Sequence, residues 1–365
     1  MAWCRRSRDR STCLAQKDEA GVLEPWLTYH GHLFGLENLY IIDNGSTRPD
    51  VRATLARFAS RGVHVDYAHP TREDYLNKGD IVGAKIRDLD AAGIYDFFFP
   101  TDCDEFLIKQ TATGFTCDGA AIDAYLETLR KEPQTLRMRY QLANHPLVPD
   151  FYVHFASSKT FFAAQAFGWT DHGHHCDGSR LAAGSRYTAL LHVHFHYMPF
   201  ERLIGSVRQR WIGSVDIEDR EQLVGYAGDS QHLARYLLMS RDEYYTQFNQ
   251  KLLIYFPQLR RLLGRLGAPL DIPPGECDPG ESDAGEANWT SFYAPSYLQH
   301  NTYLLANPDV AVAGMDAMEH YCTFGFREGR RLAPPDMAAP APPRAITGKP
   351  KRRTRPKTAA RNARA

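Results

Sequence analysis

The acids that follow the run Phe97-Phe98-Phe99-Pro100 are placed to do chemistry: Thr101-Asp102-Cys103-Asp104-Glu105-Phe106. Carboxylates set against a buried aromatic strand repel one another and lose solvation. A hard divalent cation removes that penalty, and carboxylate oxygens suit Mg2+ or Mn2+. An isolated Asp-x-Asp is commonly a solvated acidic turn; its position after a buried strand is what points to a metal. A second cluster is Leu190-Leu191-His192-Val193-His194-Phe195-His196. In a strand, alternate residues share a face, so His192, His194 and His196 point the same way. Each imidazole is a neutral ligand or a cationic donor, and one ligand with two helpers suits a single strand better than three ligands. The bland alternative is a half-buried strand whose histidines meet solvent. A third cluster, Asp171-His172-Gly173-His174-His175-Cys176-Asp177, reads as a polar loop. Histidines 172, 174, 192 and 194 could instead form the zinc site of a hydrolase, although no HExxH-like order supports it.

These side chains need elements to position them. Leu39-Tyr40-Ile41-Ile42 is an apolar run closed by Asp43-Asn44-Gly45-Ser46, a strand ending in turn chemistry. Val51, Leu55 and Phe58 have helical spacing, with Gly62 as the stop. A strand at 63–67, a helix at 81–92 stopped by Gly93 and a buried strand at 95–100 follow. This alternation predicts an α/β fold with a mostly parallel sheet flanked by helices. Ligands of such sheets sit beyond the carboxyl ends of the strands, where the Asp43 and Asp102 clusters fall. Further along, helices are expected at 121–131, 200–212 and 241–266, and strands at 136–140, 151–155 and 189–196.

The chain has 365 residues, 43% hydrophobic and 24% charged, and its 43 basic and 43 acidic side chains cancel. A general basic field for nucleic acid is thereby excluded. No apolar run approaches the roughly 20 residues of a membrane helix. The basic N-terminus is not followed by the apolar stretch of about 7–15 residues that a signal peptide needs. Seven cysteines without a CxxC pair fit reduced thiols. The expectation is a cytoplasmic protein. Residues 1–266 read as the main domain and 267–288, rich in Pro, Gly and acids, as a linker. Residues 289–333 read as a small helical module, and 334–365 as a Pro/Ala-rich tail that is disordered. The tail is basic at Lys349, Lys351, Arg352, Arg353, Arg355 and Lys357, which would allow peripheral contact with an anionic membrane.

In series, Lys17-Asp18-Glu19-Ala20, Glu24, Trp26, Tyr29, His30 and Asp43-Asn44-Gly45-Ser46 resemble the opening of glycosyltransferases of the family 2-like and family 92-like group. Thr101-Asp102-Cys103-Asp104-Glu105-Phe106 resembles that group's Asp-x-Asp-Glu-Phe metal motif, and His194-Phe195-His196-Tyr197 its later His-containing strand. The likeness runs from Leu14 to Trp211. Asp18 stands where the group usually has Asn, and the first strand, at 11–15, is short and polar for a central one. The resemblance implies a GT-A fold binding a nucleotide-sugar donor, a UDP-sugar, through Mn2+ or Mg2+. It implies a donor-side set of Lys17, Glu19, Asp43, Asn44 and Asp102, and a metal held by Asp102, Asp104 and His194, with His192 as the fallback. The group is inverting, so a carboxylate should deprotonate the acceptor hydroxyl; Asp171, Asp177 and Glu105 are the candidates. The acceptor would be a glycan or lipid-linked glycan of the bacterial cell envelope or an exopolysaccharide. The C-terminal stretch Asn307-Pro308-Asp309-Val310 to Glu328-Gly329-Arg330 resembles one copy of a short repeat of bacterial surface and carbohydrate-related proteins. If that unit carried the function, the chain would be a non-catalytic carbohydrate- or partner-binding protein, and deletion from Trp289 onward would abolish its activity.

Overall fold

The computed structural model describes residues 9–211, 216–227, 233–270, 289–293, 298, 300–337 and 343–348. Its first half alternates as expected. Strands β1 (Asp9–Gln16), β2 (Leu39–Asp43), β3 (His64–Asp66) and β4 (Tyr95–Thr101) are joined through helices α1 (Leu23–Phe34), α2 (Pro49–Ala59), α3 (Arg72–Leu76) and α4 (Lys78–Ala92). β1, β2, β3 and β4 pair in parallel in the order β4-β1-β2-β3. The first strand is thus longer than 11–15, and its central Thr12 finds partners inside the sheet. Thr12 Oγ1 donates to the Phe99 carbonyl at 2.9 Å and meets Thr101 Oγ1 at 3.1 Å.

From β4 the chain enters β5 (Glu105–Thr111), β6 (Gly114–Thr116), α5 (Gly119–Glu127), β7 (Thr135–Met138), β8 (Gln141–Asn144) and β9 (Phe151–Phe155). Next come β10 (Lys159–Ala163), β11 (Phe167–Thr170), β12 (Asp177–Ser179), β13 (Ser185–Thr188) and β14 (Leu190–His194). The first sheet has the order β13-β7-β10-β4-β1-β2-β3, with β10 antiparallel to both its neighbours. β11 and β12 form a separate hairpin.

After β14 come α6 (Phe200–Trp211), α7 (Arg220–Gly225), α8 (Ala234–Leu238), α9 (Arg241–Thr246), β15 (Leu252–Tyr255) and α10 (Gln258–Arg265). The expected single helix at 241–266 is therefore two helices around a strand. Leu252-Leu253-Ile254 is buried, residues Leu253 to Tyr255 pair with β9, and Pro257 keeps Phe256 out of helical backbone. The remaining elements are β16 (Trp289–Tyr293), α11 (His300–Ala306), α12 (Pro308–Val312), α13 (Ala317–His320) and β17 (Arg344–Gly348). A second sheet, largely antiparallel, runs β17-β16-β15-β9-β8-β14-β5-β6. The mostly parallel reading thus applies to one of two large sheets. The expected disorder from 334 is corrected at 344–348, where β17 pairs antiparallel with β16; residues 338–342, 349–365 and most of the linker (271–288) lie outside the described residues. β16 pairs with β15, and Tyr303, Val310 and Met318 share a core with α1 and α10. Deletion from Trp289 onward would therefore remove a sheet strand as well as the helical unit.

α1 is the element that ties the core to the acidic motif. Its face of Leu23, Trp26, Leu27, Tyr29, His30, Leu33 and Phe34 is buried. Tyr29 Oη donates to the Leu107 carbonyl at 2.5 Å, and His30 stacks on Phe106. Burial, reinforced by nearby His192, pushes the His30 imidazole down to about 3, so it is neutral near pH 7. At the far end of β2, Gly45 has φ +71, and an added Cβ would lie 2.7 Å from the Pro70 carbonyl oxygen. Gly45→Ala is expected to cost about 1–3 kcal/mol through left-handed strain and that backbone clash. Urea unfolding checks this; an unchanged midpoint would show that the turn gives way freely.

Candidate active site

The parallel strands deliver their carboxyl ends to one edge: Lys17 to Glu19 after β1, Asp43 and Asn44 at β2, Asp102 to Asp104 after β4. At Asp102 the chain turns tightly, with the Glu105 N–H donating to the Asp102 carbonyl at 3.2 Å, and passes from one sheet to the other. β14 lies antiparallel to β5 with His194 opposite Glu105 and His192 opposite Leu107. Period-2 alternation puts both imidazoles on the side of the acids. His194 Nε2 lies 3.2 Å from Asp104 Oδ2, and His192 Nδ1 3.3 Å from Glu105 Oε2. His196 lies beyond the strand, its ring 5.0 Å from that of His194.

Two lysines that the motifs did not reveal compensate the inner carboxylates. Lys78 Nζ and Lys159 Nζ each lie 2.6 Å from a different oxygen of Asp102, and Lys159 Nζ is also 2.9 Å from Glu105 Oε1. Glu105 is fully buried and accepts from Gln141 Nε2 at 3.1 Å and from the Asp102 N–H at 3.3 Å. Burial alone would raise the Asp102 and Glu105 carboxyls; Lys159, with Lys78 at Asp102 and His192 at Glu105, outweighs it and holds both well below the usual range. Burial disfavours the Lys159 ammonium, but Asp102 and Glu105 raise it above its ordinary value.

The linkage signs follow. The depressed carboxyls contribute stability that is present above their unfolded values of about 4 and is lost as pH falls through the folded ones. The raised lysine contributes stability that is present below its unfolded value of about 10.4 and is lost above the folded one. The urea midpoint is therefore expected to hold from pH 7 to about 5 and to fall under about 4. A midpoint that rises on acidification would contradict this balance.

Asp104 and His194 form the outer pair, with side chains 29% and 12% exposed. His194 Nδ1 lies 2.6 Å from Gln141 Oε1, an acceptor, so Nδ1 carries the proton there. That leaves Nε2 either as a lone pair or, when protonated, as a donor to Asp104. Burial lowers the His194 imidazole, but the Asp104 carboxylate outweighs it and the net shift is upward. Gln141 thus fixes the orientation and tautomer of the His194 ring.

The 171–177 loop covers the inner acids. Lys159 Nζ donates to the Gly173 carbonyl at 2.7 Å, and the His174 carbonyl accepts from the Thr160 N–H at 3.2 Å. His174 is buried in left-handed backbone (φ +58), its ring 3.2 Å from Thr170 Oγ1, and burial, aided by Lys78, holds it well below the usual histidine range. Gly79, at the start of α4, approaches so closely that a Cβ would lie 2.7 Å from the Asp171 carbonyl carbon.

The other expected site residues have the following surroundings. Asp102 is engaged on both oxygens by lysines, so cations of the chain itself stand where it would meet a metal. His192 is fully buried and turned on to Glu105 rather than toward a ligand site. Glu105, expected among the candidate bases, is sealed inside the lysine cluster. Asp177 is ion-paired with Arg137 and its side chain is 3% exposed, which removes it from an acceptor. Asp171 is half-buried, its Oδ1 accepting from the His175 N–H at 2.7 Å. Asp43 accepts from Gln16 Nε2, Ser46 Oγ and the Ser46 N–H, while Asn44 donates to the carbonyls of His69 and Thr71, so this pair braces the turn after β2. Lys17 is exposed and Glu19 half-buried; burial, with the charges of Glu19 and the motif acids, raises the Cys103 thiol. The hydrolase set does not converge: His172 packs on Tyr75, His174 on Thr170, His192 on Glu105 and His194 on Asp104. Among the described residues no three His, Cys, Asp or Glu side chains form a metal-holding group. No described helix is long and apolar enough to cross a membrane.

No family model matches the chain, and no curated protein does. Among solved structures it is similar to glucosyl-3-phosphoglycerate synthase from Mycobacterium tuberculosis. Bound to Mn2+, uridine diphosphate and glucosyl-3-phosphoglycerate, that protein is 16% identical at a TM-score of 0.29, over 56% of this chain and 80% of that one. Its complex with Mg2+ and uridine diphosphate gives 15%, 0.29, 56% and 79%. Its complex with phosphoglyceric acid gives 16%, 0.30, 56% and 80%. Likeness at this level carries nothing about residues or ligands.

Proposed function

We propose that the chain is a metal-dependent inverting glycosyltransferase that moves a sugar from a nucleotide-diphosphate donor, a UDP-sugar, to a hydroxyl of a glycan acceptor. The observation that carries this reading is the Asp104–His194 pair, 3.2 Å apart beside the carboxyl edge of the parallel strands. Two protein ligands suffice for a divalent ion that takes its remaining positions from diphosphate oxygens and water, the usual habit of Mg2+. Asp104 Oδ2 and His194 Nε2 would hold Mn2+ or Mg2+, which when bound neutralises charge on the departing diphosphate.

The chain's own groups prepare that chemistry. Gln141 fixes the His194 tautomer, so that Nε2 faces Asp104. Lys78 and Lys159 neutralise Asp102 and Glu105, which keeps the acidic turn folded without drawing on the metal. Lys17 and Glu19 line the donor side, and Asp43 with Asn44 holds the turn that shapes it. Asp171 is the partly exposed carboxylate of the covering loop and takes the acceptor proton; a positioned carboxylate supplies about 10²–10⁴-fold. The acceptor class is a cell-envelope or exopolysaccharide glycan, free or lipid-linked, and the site of action is the cytoplasm, including the inner membrane face.

The test is a thermal-shift series of nucleoside diphosphates with and without Mn2+. Uridine diphosphate with Mn2+ is expected to stabilise the protein by about 2.7 kcal/mol at one hundred times its dissociation constant. A response that is equal without metal, or absent for every nucleotide, would overturn the reading.

A further inference from the structure

Trp169 is 52% exposed, an unusual setting for so large an apolar ring. It lies on β11 opposite Gly178 of β12. A side chain at Gly178 would collide with Trp169 Nε1 and would lie 2.8 Å from its Cδ1, so the indole rests on bare backbone. Gly168 is equally constrained, since a Cβ there would lie 2.5 Å from the Gly178 carbonyl oxygen. One face of the ring is thus pressed on the hairpin, and the exposed remainder is held in one orientation.

The place of this ring gives it a partner. The Asp171 N–H donates to the Cys176 carbonyl at 3.0 Å, which continues the β11–β12 ladder by one residue. Alternation then puts Trp169 and Asp171 on the same face, about 6.6 Å apart along the strand. Asp171 in turn abuts Gly79, next to Lys78 of the acid–lysine cluster. A fixed aromatic face beside a hydrogen-bonding carboxylate is the composition of a small-ligand subsite. The electron-rich face of indole attracts the weakly positive C–H face of a sugar ring, as it attracts ring edges and cations. Because the ring is already fixed, little side-chain entropy is lost on binding.

We infer that Trp169 is the platform on which a sugar of the acceptor glycan stacks, with its hydroxyls turned toward Asp171. The inference rests on the transferase reading for the word acceptor, but not for glycan binding itself. The experiment is retention of the labelled full-length protein on an array of bacterial surface-polysaccharide fragments, with the uridine diphosphate and Mn2+ thermal shift run on the same preparations. Wild type is expected to be retained on at least one fragment class, Trp169→Ala about tenfold less, and Trp169→Phe close to wild type. Retention of Trp169→Ala at the wild-type level overturns the inference, as does a wild type retained by no fragment. Simultaneous loss of retention and of the nucleotide response in Trp169→Ala also overturns it, since the ring would then be holding the fold. Glycan retention that depends on Trp169 in a protein without any nucleotide response sinks the transferase reading and leaves this subsite standing.

Discussion

Asp104→Ala is expected to abolish the Mn2+-dependent response to uridine diphosphate and to lower transfer by at least about 10³-fold. The size follows from how few protein ligands the proposed site has. With Asp104 and His194 as its two protein contacts, removal of Asp104 leaves a lone imidazole, and a hard cation depends on carboxylate oxygen. Loss of one preorganised group that stabilises transition-state charge already costs about 10²–10³, and donor binding is lost here as well. The fold should survive, because Asp104 lies outside the lysine cluster and is 29% exposed. The Asp104→Ala urea midpoint should therefore stay near that of wild type. A variant that is inactive because it is unfolded would not count in favour, whereas a folded variant with full nucleotide response would refute the site. Asp102→Ala should behave differently, losing stability before function, since it leaves Lys78 and Lys159 without their shared carboxylate.

Lys159→Met should be the most destabilising single change in the site, by about 3–5 kcal/mol. Lys159 is 1% exposed and bridges Asp102 to Glu105, which is itself fully buried. Breaking a buried ion pair from one side leaves an uncompensated charge, which accounts for a cost of that order. The remaining carboxyls would then be governed by burial, so acid unfolding of the variant should begin at higher pH than in wild type. Adding Glu105→Gln should restore part of the loss, because it removes the orphaned charge; the pair is in contact, so the two effects should not add. Urea unfolding of the four proteins of this cycle decides it. A Lys159→Met protein within about 1 kcal/mol of wild type would mean that the cluster behaves as an exposed salt bridge.

How far these features could be read in advance depends on whether their signal was local. The parallel core was legible, since the Leu39–Ile42 run, the helix stop at Gly93 and the buried 97–100 strand each announce themselves in a few residues. That alternate histidines of one strand share a face was legible, but the meeting of His194 with Asp104 was implied only by the family resemblance, since residues 90 positions apart carry no local sign of the pairing. The lysines were not. Lys78 opens a helix like any first-turn residue, and Lys159 was hidden in Lys159-Thr160-Phe161-Phe162-Ala163, where a charge inside an apolar strand was the available clue. Long-range partners also decided Asp177, whose pairing with Arg137 across 40 positions takes it from the acceptor. The second sheet escaped notice for a related reason. β15 sits between helices rich in Leu, Tyr and Arg, and only pairing with β9 and β16 selects extended backbone over helix there. β17 likewise owes its order to β16, its partner along the sheet edge, rather than to its own composition.

The central claim, that His194 and Asp104 together grip a divalent ion under a nucleotide diphosphate, is open to one direct measurement. Pulsed electron paramagnetic resonance on the protein with Mn2+ and uridine diphosphate reads the nuclei bound to the ion. A nitrogen coupling from one imidazole is predicted in wild type and in His192→Gln, and its disappearance in His194→Gln. A bound Mn2+ without nitrogen coupling in wild type, or with the same coupling in His194→Gln, would contradict the account.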